Sequence, residues 1–157
     1  MAEPVANVGS EFKPGGHLAF SERNGGRLIL PGVVYNIRKR FTIAQINAGA
    51  EVLPAIAGYA YRMVDGAAIA VGGNVGAATG VDVMGTSTTG RKLLSLKTAG
   101  LTQSTLLRAG AATNGVLLAD GASFTVNDVN TAITVIKDGS DLTTATHVDI
   151  LFSYVIE

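Results

Sequence analysis

Residues 115–157 read GVLLADGASFTVNDVNTAITVIKDGSDLTTATHVDILFSYVIE. Four short runs rich in β-branched and aliphatic residues, 115–119, 122–126, 132–137 and 147–156, are punctuated by Asp120-Gly121, Asn127-Asp128 and Asp138-Gly139. Asp-Gly pairs supply the positive φ that tight hairpin turns need, and strict alternation sends every second side chain to one face. In the last run Val148, Ile150, Phe152, Tyr154 and Ile156 alternate against Asp149, Leu151, Ser153 and Val155. A run that is apolar on one face and mixed on the other belongs in a sheet packed on one side. The stretch therefore predicts an antiparallel β domain closed by its own C-terminus.

Upstream, the same grammar recurs over residues 51–56, 59–65, 67–72, 80–84, 92–98 and 104–108, with Gly-, Asn- and Thr-rich loops between them. Residues 27–42 also read as strand material, broken at Pro31-Gly32, with Tyr35, Ile37, Lys39 and Phe41 alternating against Asn36, Arg38 and Arg40. Pro31 lacks an amide donor, which assigns this segment to a sheet edge or a strand start. One helix signal interrupts the pattern. Thr42-Ile43-Ala44-Gln45 is a capping box and Gly49 sits at the stop, so one or two turns are expected. About ten strands and no helix long enough for a crossover predict an all-β fold. We expect an antiparallel β-sandwich, jelly-roll-like, with an extended N-terminal arm and at most one short helix.

The arm is residues 1–26, where Pro4, Gly9, Pro14, Gly15, Gly16, Gly25 and Gly26 leave no apolar periodicity to fold around. Phe12, Leu18 and Phe20 are its sizeable anchors. Residues 27–157 form a single domain. With 47% hydrophobic residues against 15% charged, 157 residues suffice for one core. No Cys is present, so neither disulfides nor thiolate metal sites hold it together. Residues 1–4 lack the features of a secretory signal, and no window approaches a membrane span, so synthesis and folding in a cytoplasm are expected.

An internal echo relates two parts of the chain. Ala68-Ile69-Ala70-Val71 followed by Ala78-Thr79-Gly80-Val81-Asp82-Val83 resembles Ala132-Ile133-Thr134-Val135 followed by Ala145-Thr146-His147-Val148-Asp149-Ile150. Each copy reads as a hairpin with a long loop, and two related hairpins would suit the two halves of a jelly roll.

Chemistry is sparse. His17 and His147 are the sole imidazoles, and neither has a second ligand at metal spacing. His147 and Asp149 share a strand face, but no marked nucleophile accompanies them. Asp82 and Asp149 would make a carboxylate pair if the echoed strands were neighbours; single aspartates on such strands more often meet turn amides or an Arg. The Gly72-Gly73-Asn74-Val75-Gly76 segment follows a strand, but no helix-forming stretch opens after it, so it is a loop and not a phosphate cradle. No catalytic residue, metal or cofactor is expected.

Net charge is zero but uneven. Lys13, Arg23, Arg27, Arg38, Lys39 and Arg40 crowd the first forty residues, whereas Asp120, Asp128, Asp138, Asp141, Asp149 and Glu157 face Lys137 alone after residue 110. Such a split suits copies meeting head to tail, or an arm crossing an acidic neighbour, better than nucleic acid. Alternation divides Arg38-Lys39-Arg40 between two faces, and no aromatic stacking platform accompanies it. Arg38 and Arg40 are instead read as projecting from an edge strand, opposing unwanted pairing and contacting an acidic partner.

Residues 42–49, the Tyr61-Arg62-Met63-Val64-Asp65 strand, residues 117–124 and the ending 145–154 resemble small virion proteins of tailed bacteriophages, specifically the all-β capsid decoration or cement type. The resemblance covers roughly residues 38–157. It implies a jelly-roll-like domain bound in many copies to the outside of an icosahedral head, clamping neighbouring subunits of the major capsid protein. The expected protein is a homo-oligomer, dimer or trimer, with Phe12, Leu18, Phe20, Arg38 and Arg40 as partner contacts. Neither nucleic acid nor a membrane is an expected partner. The competing function is a carbohydrate- or receptor-binding jelly-roll module of a phage tail or head fibre, which the absence of Trp disfavours; a small hydrolase using Asp82 and Asp149 comes third.

Overall fold

The computed structural model describes residues 11–13, 17–19, 31–85, 91–111 and 114–157. The chain divides into two compact units, Met1–Pro31 and Gly32–Glu157. In the first, β1 (Glu11–Lys13) and β2 (His17–Ala19) pair antiparallel with Phe12 opposite Leu18. Phe20 lies outside the described residues, as do the side chains of Phe12 and Leu18.

The second unit is built from β3 (Tyr35–Thr42), α1 (Ile43–Ala48), β4 (Ala50–Leu53), β5 (Tyr61–Val71), β6 (Gly80–Gly85), β7 (Arg91–Lys97), β8 (Leu107–Arg108), β9 (Gly115–Val116), β10 (Ile133–Asp138) and β11 (His147–Ile156). The front sheet has the order β3-β11-β5-β8 and the back sheet the order β4-β10-β6-β7-β9. The first long strand thus lies beside the last in one sheet, and the second beside the next-to-last in the other. Apart from the two-residue β9 at its margin, this interleaving of two antiparallel sheets is a jelly roll, the expected fold.

Local chemistry places the elements. Strand β11 spans the expected residues, and its alternation buries Val148, Ile150, Phe152, Tyr154 and Ile156. The capping box forms as read. Gln45 N–H donates to Thr42 Oγ1 at 3.2 Å, Thr42 N–H donates to Gln45 Oε1 at 2.8 Å, and Gly49 ends the helix at φ 81°. Facing residues of the back sheet complete the core: Val81, Val83, Leu94, Leu96, Ile133 and Val135 are each no more than 1% exposed. Burying such a side chain contributes about 1.5–3 kcal/mol, which is what holds two sheets together without disulfides.

Three expectations needed correction. The runs 59–65 and 67–72 are one strand, β5, passing straight through Gly66. A Cβ on Gly66 would stand 2.8 Å from Leu94 Cδ2, so this glycine admits a leucine of the opposite sheet and breaks nothing. The expected strand at 122–126 is instead part of a 3-10 segment, Ala119–Phe124. Asp120 and Gly121 do take positive φ, 56° and 72°, but Leu118 N–H donates to the buried Ser123 Oγ at 2.7 Å and closes the turn locally. Finally, the echoed segments are not hairpins. In both copies the two strands sit in different sheets: β5 crosses to β6, and β10 crosses to β11. Alternation reports which side chains face inward but says nothing of which sheet a strand joins.

Candidate interaction surface

Asp149, the third residue of β11, lies on the outer side of the front sheet, between Arg40 of β3 and Ile69 of β5 in register. Its side chain is nevertheless only 2% exposed, because two arginines cover it. Arg40 reaches both carboxylate oxygens, Nε to Oδ1 at 2.6 Å and Nη2 to Oδ2 at 3.0 Å, and Arg38 Nη2 also bonds Oδ2. These donors, Arg40 first, hold the Asp149 carboxyl down to about 2 against the opposing cost of burial. The same contact raises the Arg40 guanidinium. Two cations on one anion leave a surplus positive charge. The heads that carry it stay in water, with side chains 65% and 53% exposed for Arg38 and Arg40.

Alternation foretold that Arg38 and Arg40 leave the same side of the strand, and they do. Lys39 turns the other way, its Nζ 3.4 Å from the Glu51 carbonyl oxygen. Sequence reading expected an aspartate such as Asp149 to meet turn amides or an Arg, and it meets two; what that reading missed is that one buried carboxylate joins both guanidiniums. The available signal was the Arg-x-Arg spacing itself, which asks for a carboxylate on a neighbouring strand; the register that delivers Asp149 spans 109 residues.

Next to the cluster, Leu151 is directly opposite Arg38 and is 37% exposed. Beyond it lies a shallow cleft of about 120 Å³ lined by Asp65, Ala67, Leu106, Arg108, Leu151 and others. Arg108 Nη1 stands 3.9 Å from Asp65 Oδ2 at its rim. The outer face of the front sheet is therefore apolar at its centre and fringed by arginines, a composition enriched at protein interfaces.

The edges of the sheets differ in length. β3 is an eight-residue strand paired only with β11 among the described residues. The other margins are β8 and β9, two residues each, and β4, four. A long edge presents a row of backbone donors and acceptors to any strand that approaches.

The remaining candidates separate. Asp82 and Asp149 occupy different sheets and project from opposite outer faces, so no carboxylate pair exists. Lys92 Nζ bonds Asp82 Oδ2 at 2.6 Å, which raises the lysine. His147 shares a face with Asp149, but its Nδ1 lies 3.1 Å from Thr146 Oγ1 and the carboxylate is occupied by the arginines. Residues 72–76 are a loop, in which Asn74 Oδ1 accepts from Gln103 N–H. No helix among the described residues is long and apolar enough to cross a membrane, and no group of three or more His, Asp and Glu that could hold a metal occurs among them. Compared with known proteins, the chain matches no family model, no curated protein and no solved structure.

Proposed function

We propose that the protein is a bacteriophage virion structural protein of the decoration or cement type, bound in many copies to the outer head surface and bridging subunits of the major capsid protein. The observation that carries this reading is the front face of the jelly roll, where an apolar centre, an arginine fringe and a long strand edge lie together on a rigid body. Such a body binds a repeating surface without reorganising. Symmetric copies then multiply a modest affinity per contact. The same reading makes the free protein a dimer or trimer and gives residues 1–26 a share of the contact.

The sugar-binding alternative needs exposed rings to stack on. Among the described residues the one aromatic that stands out as exposed is Phe124, at 38%. Tyr35 and Tyr154 stack on each other, with centroids 5.6 Å apart.

Sedimentation with undecorated phage heads tests the reading. The protein is expected to co-sediment saturably with heads and to lose affinity when residues 1–26 are deleted. Heads that leave the protein in the supernatant at saturating concentration sink the proposal. Light scattering on the free protein reports the oligomer independently.

A further inference from the structure

The edge of β3 and the arginine cluster lie side by side. Side chains of a strand added to β3 would stand beside those of β3 itself, about 4.5–5.5 Å apart between Cβ atoms. On the outer face the incoming side chains meet Arg38 and Arg40, two residues apart. On the inner face they meet the half-buried Lys39, set between the half-buried Ile37 and the rim of the core at Phe41. The ligand pattern follows: two acidic residues two apart, opposite the arginines, with a residue between them that packs on the Lys39 stem and apolar neighbours toward Ile37 and Phe41.

Charge decides which polypeptide supplies that strand. Two β3 edges laid antiparallel would bring Arg38, Lys39 and Arg40 of each copy together, and like charges directly opposite destabilise a pair. Nor does this chain carry the ligand elsewhere. Its twelve acidic residues are Glu3, Glu11, Glu22, Glu51, Asp65, Asp82, Asp120, Asp128, Asp138, Asp141, Asp149 and Glu157, and no two of them are two residues apart. A second copy therefore cannot match the Arg38, Arg40 spacing.

The cluster is also built to bind at low entropic cost. Asp149 is buried and fixed by the strand ladders on both sides, so it pins both guanidiniums before any partner arrives. Each arginine keeps donors and an exposed head. Pre-oriented arginines hold carboxylates in two-pronged geometry better than free lysines do.

We propose that residues 36–41 of β3, with the Arg38–Asp149–Arg40 cluster, take up an extended strand of a different polypeptide that carries acidic side chains two residues apart. The assignment of that strand to the shell subunit rests on the proposed function; the receptor rests on the chain's own geometry.

The probe is a soluble peptide, Thr-Glu-Val-Glu-Val-Thr, against its Gln-for-Glu twin and a single-stranded oligonucleotide, titrated into the full-length protein. The Glu peptide is expected to bind in a salt-sensitive manner and to slow amide exchange along β3, while the Gln peptide binds at least about tenfold more weakly. Arg38→Gln is expected to weaken the Glu peptide about tenfold while Arg40 still covers Asp149, and Lys137→Gln, on β10 of the back sheet, is expected to leave it unchanged. Equal binding of both peptides, no β3 protection, or displacement of the Glu peptide by the oligonucleotide overturns the proposal. Parallel sedimentation of Arg38→Gln with heads separates the two ideas. Undiminished head binding by Arg38→Gln alongside weakened peptide binding overturns the assignment of the strand to the shell subunit. Head binding by wild-type protein that takes up no Glu peptide overturns the receptor and spares the proposed function. Peptide binding by a protein that ignores heads does the reverse.

Discussion

The molecule buries an aspartate on the outer side of each sheet, and the two are treated differently. Asp149, in the front sheet, has both oxygens engaged by two arginines whose heads remain in water. Asp82, in the back sheet, meets Lys92 through Oδ2 alone, and its Oδ1 has no hydrogen-bond partner. Lys92 is shared further, with Asp138 Oδ2 at 3.4 Å. Around Asp82 two carboxylates therefore compete for one cation, and the balance is negative. Around Asp149 two cations share one carboxylate, and the balance is positive. The position in each sheet differs too: Asp149 lies one strand from a long margin, whereas Asp82 lies between β10 and β7. In the front sheet a surplus cation lies next to a margin unpaired among the described residues; in the back sheet one lysine is shared between two carboxylates.

Both faces stand on one core, so the harshest way to break the comparison is to remove that core. Phe152→Ala should cost about 3–5 kcal/mol by urea denaturation and weaken both faces together. Next comes the front anchor. Asp149→Asn keeps the shape but removes the charge that two arginines address, and should cost about 2 kcal/mol. An unchanged denaturation midpoint would show that the cluster is not an anchor at all.

Acid titration sharpens the same point without mutation. The folded-state value of Asp149 is depressed from 3.8 to about 2, so its contribution is present above the unfolded value and is lost as pH falls from about 4 through 2. Allowing for solvent around the exposed guanidiniums, wild type should lose roughly 1–2 kcal/mol relative to Asp149→Asn over that interval. Parallel acid curves for the two proteins would count against the depressed carboxyl.

The back-sheet partner should matter less. Asp82→Asn gives up one ion pair but leaves Lys92 with Asp138, and about 1 kcal/mol is expected. Lys92 is raised by its contacts, so its contribution holds below its unfolded value of 10.5 and is lost only as pH rises through the higher folded value. Smallest of all is Arg38→Gln. Its head is mostly in water and Arg40 still covers Asp149, so the melting temperature should move by no more than about 2–3 °C.

Much of this architecture was legible because short-range rules governed it. Thr42 and Gln45 are three residues apart and specify their cap without help from the rest of the chain. The alternation of β11 specifies its inner face. Where the sequence misled, a contact that alternation does not report decided. Leu94 of the back sheet turns Gly66 from a breaker into a packing site, and Ser123 folds the residues after Asp120-Gly121 into a local turn instead of a ladder. The echo around Asp82 and Asp149 was visible, but whether its strands pair or cross between sheets depends on neighbours that the echo does not contain. The site divides in the same way. Arg38 and Arg40 announced themselves by spacing, while Asp149 as their common partner required a register no local pattern encodes.

The position of β11 between β3 and β5 also bears on how the protein comes into being. As the polypeptide emerges from the ribosome, β3 has no lateral partner among the described residues until Asp149 and its neighbours, more than a hundred residues downstream, have been made. Until then both edges of β3, the outer one and the one that receives β11, lack their neighbours, and a nascent chain must keep two adhesive margins apart. Guanidinium groups at Arg38 and Arg40, repelling their own kind from the first moment of synthesis, would serve as that safeguard before they serve as anything else.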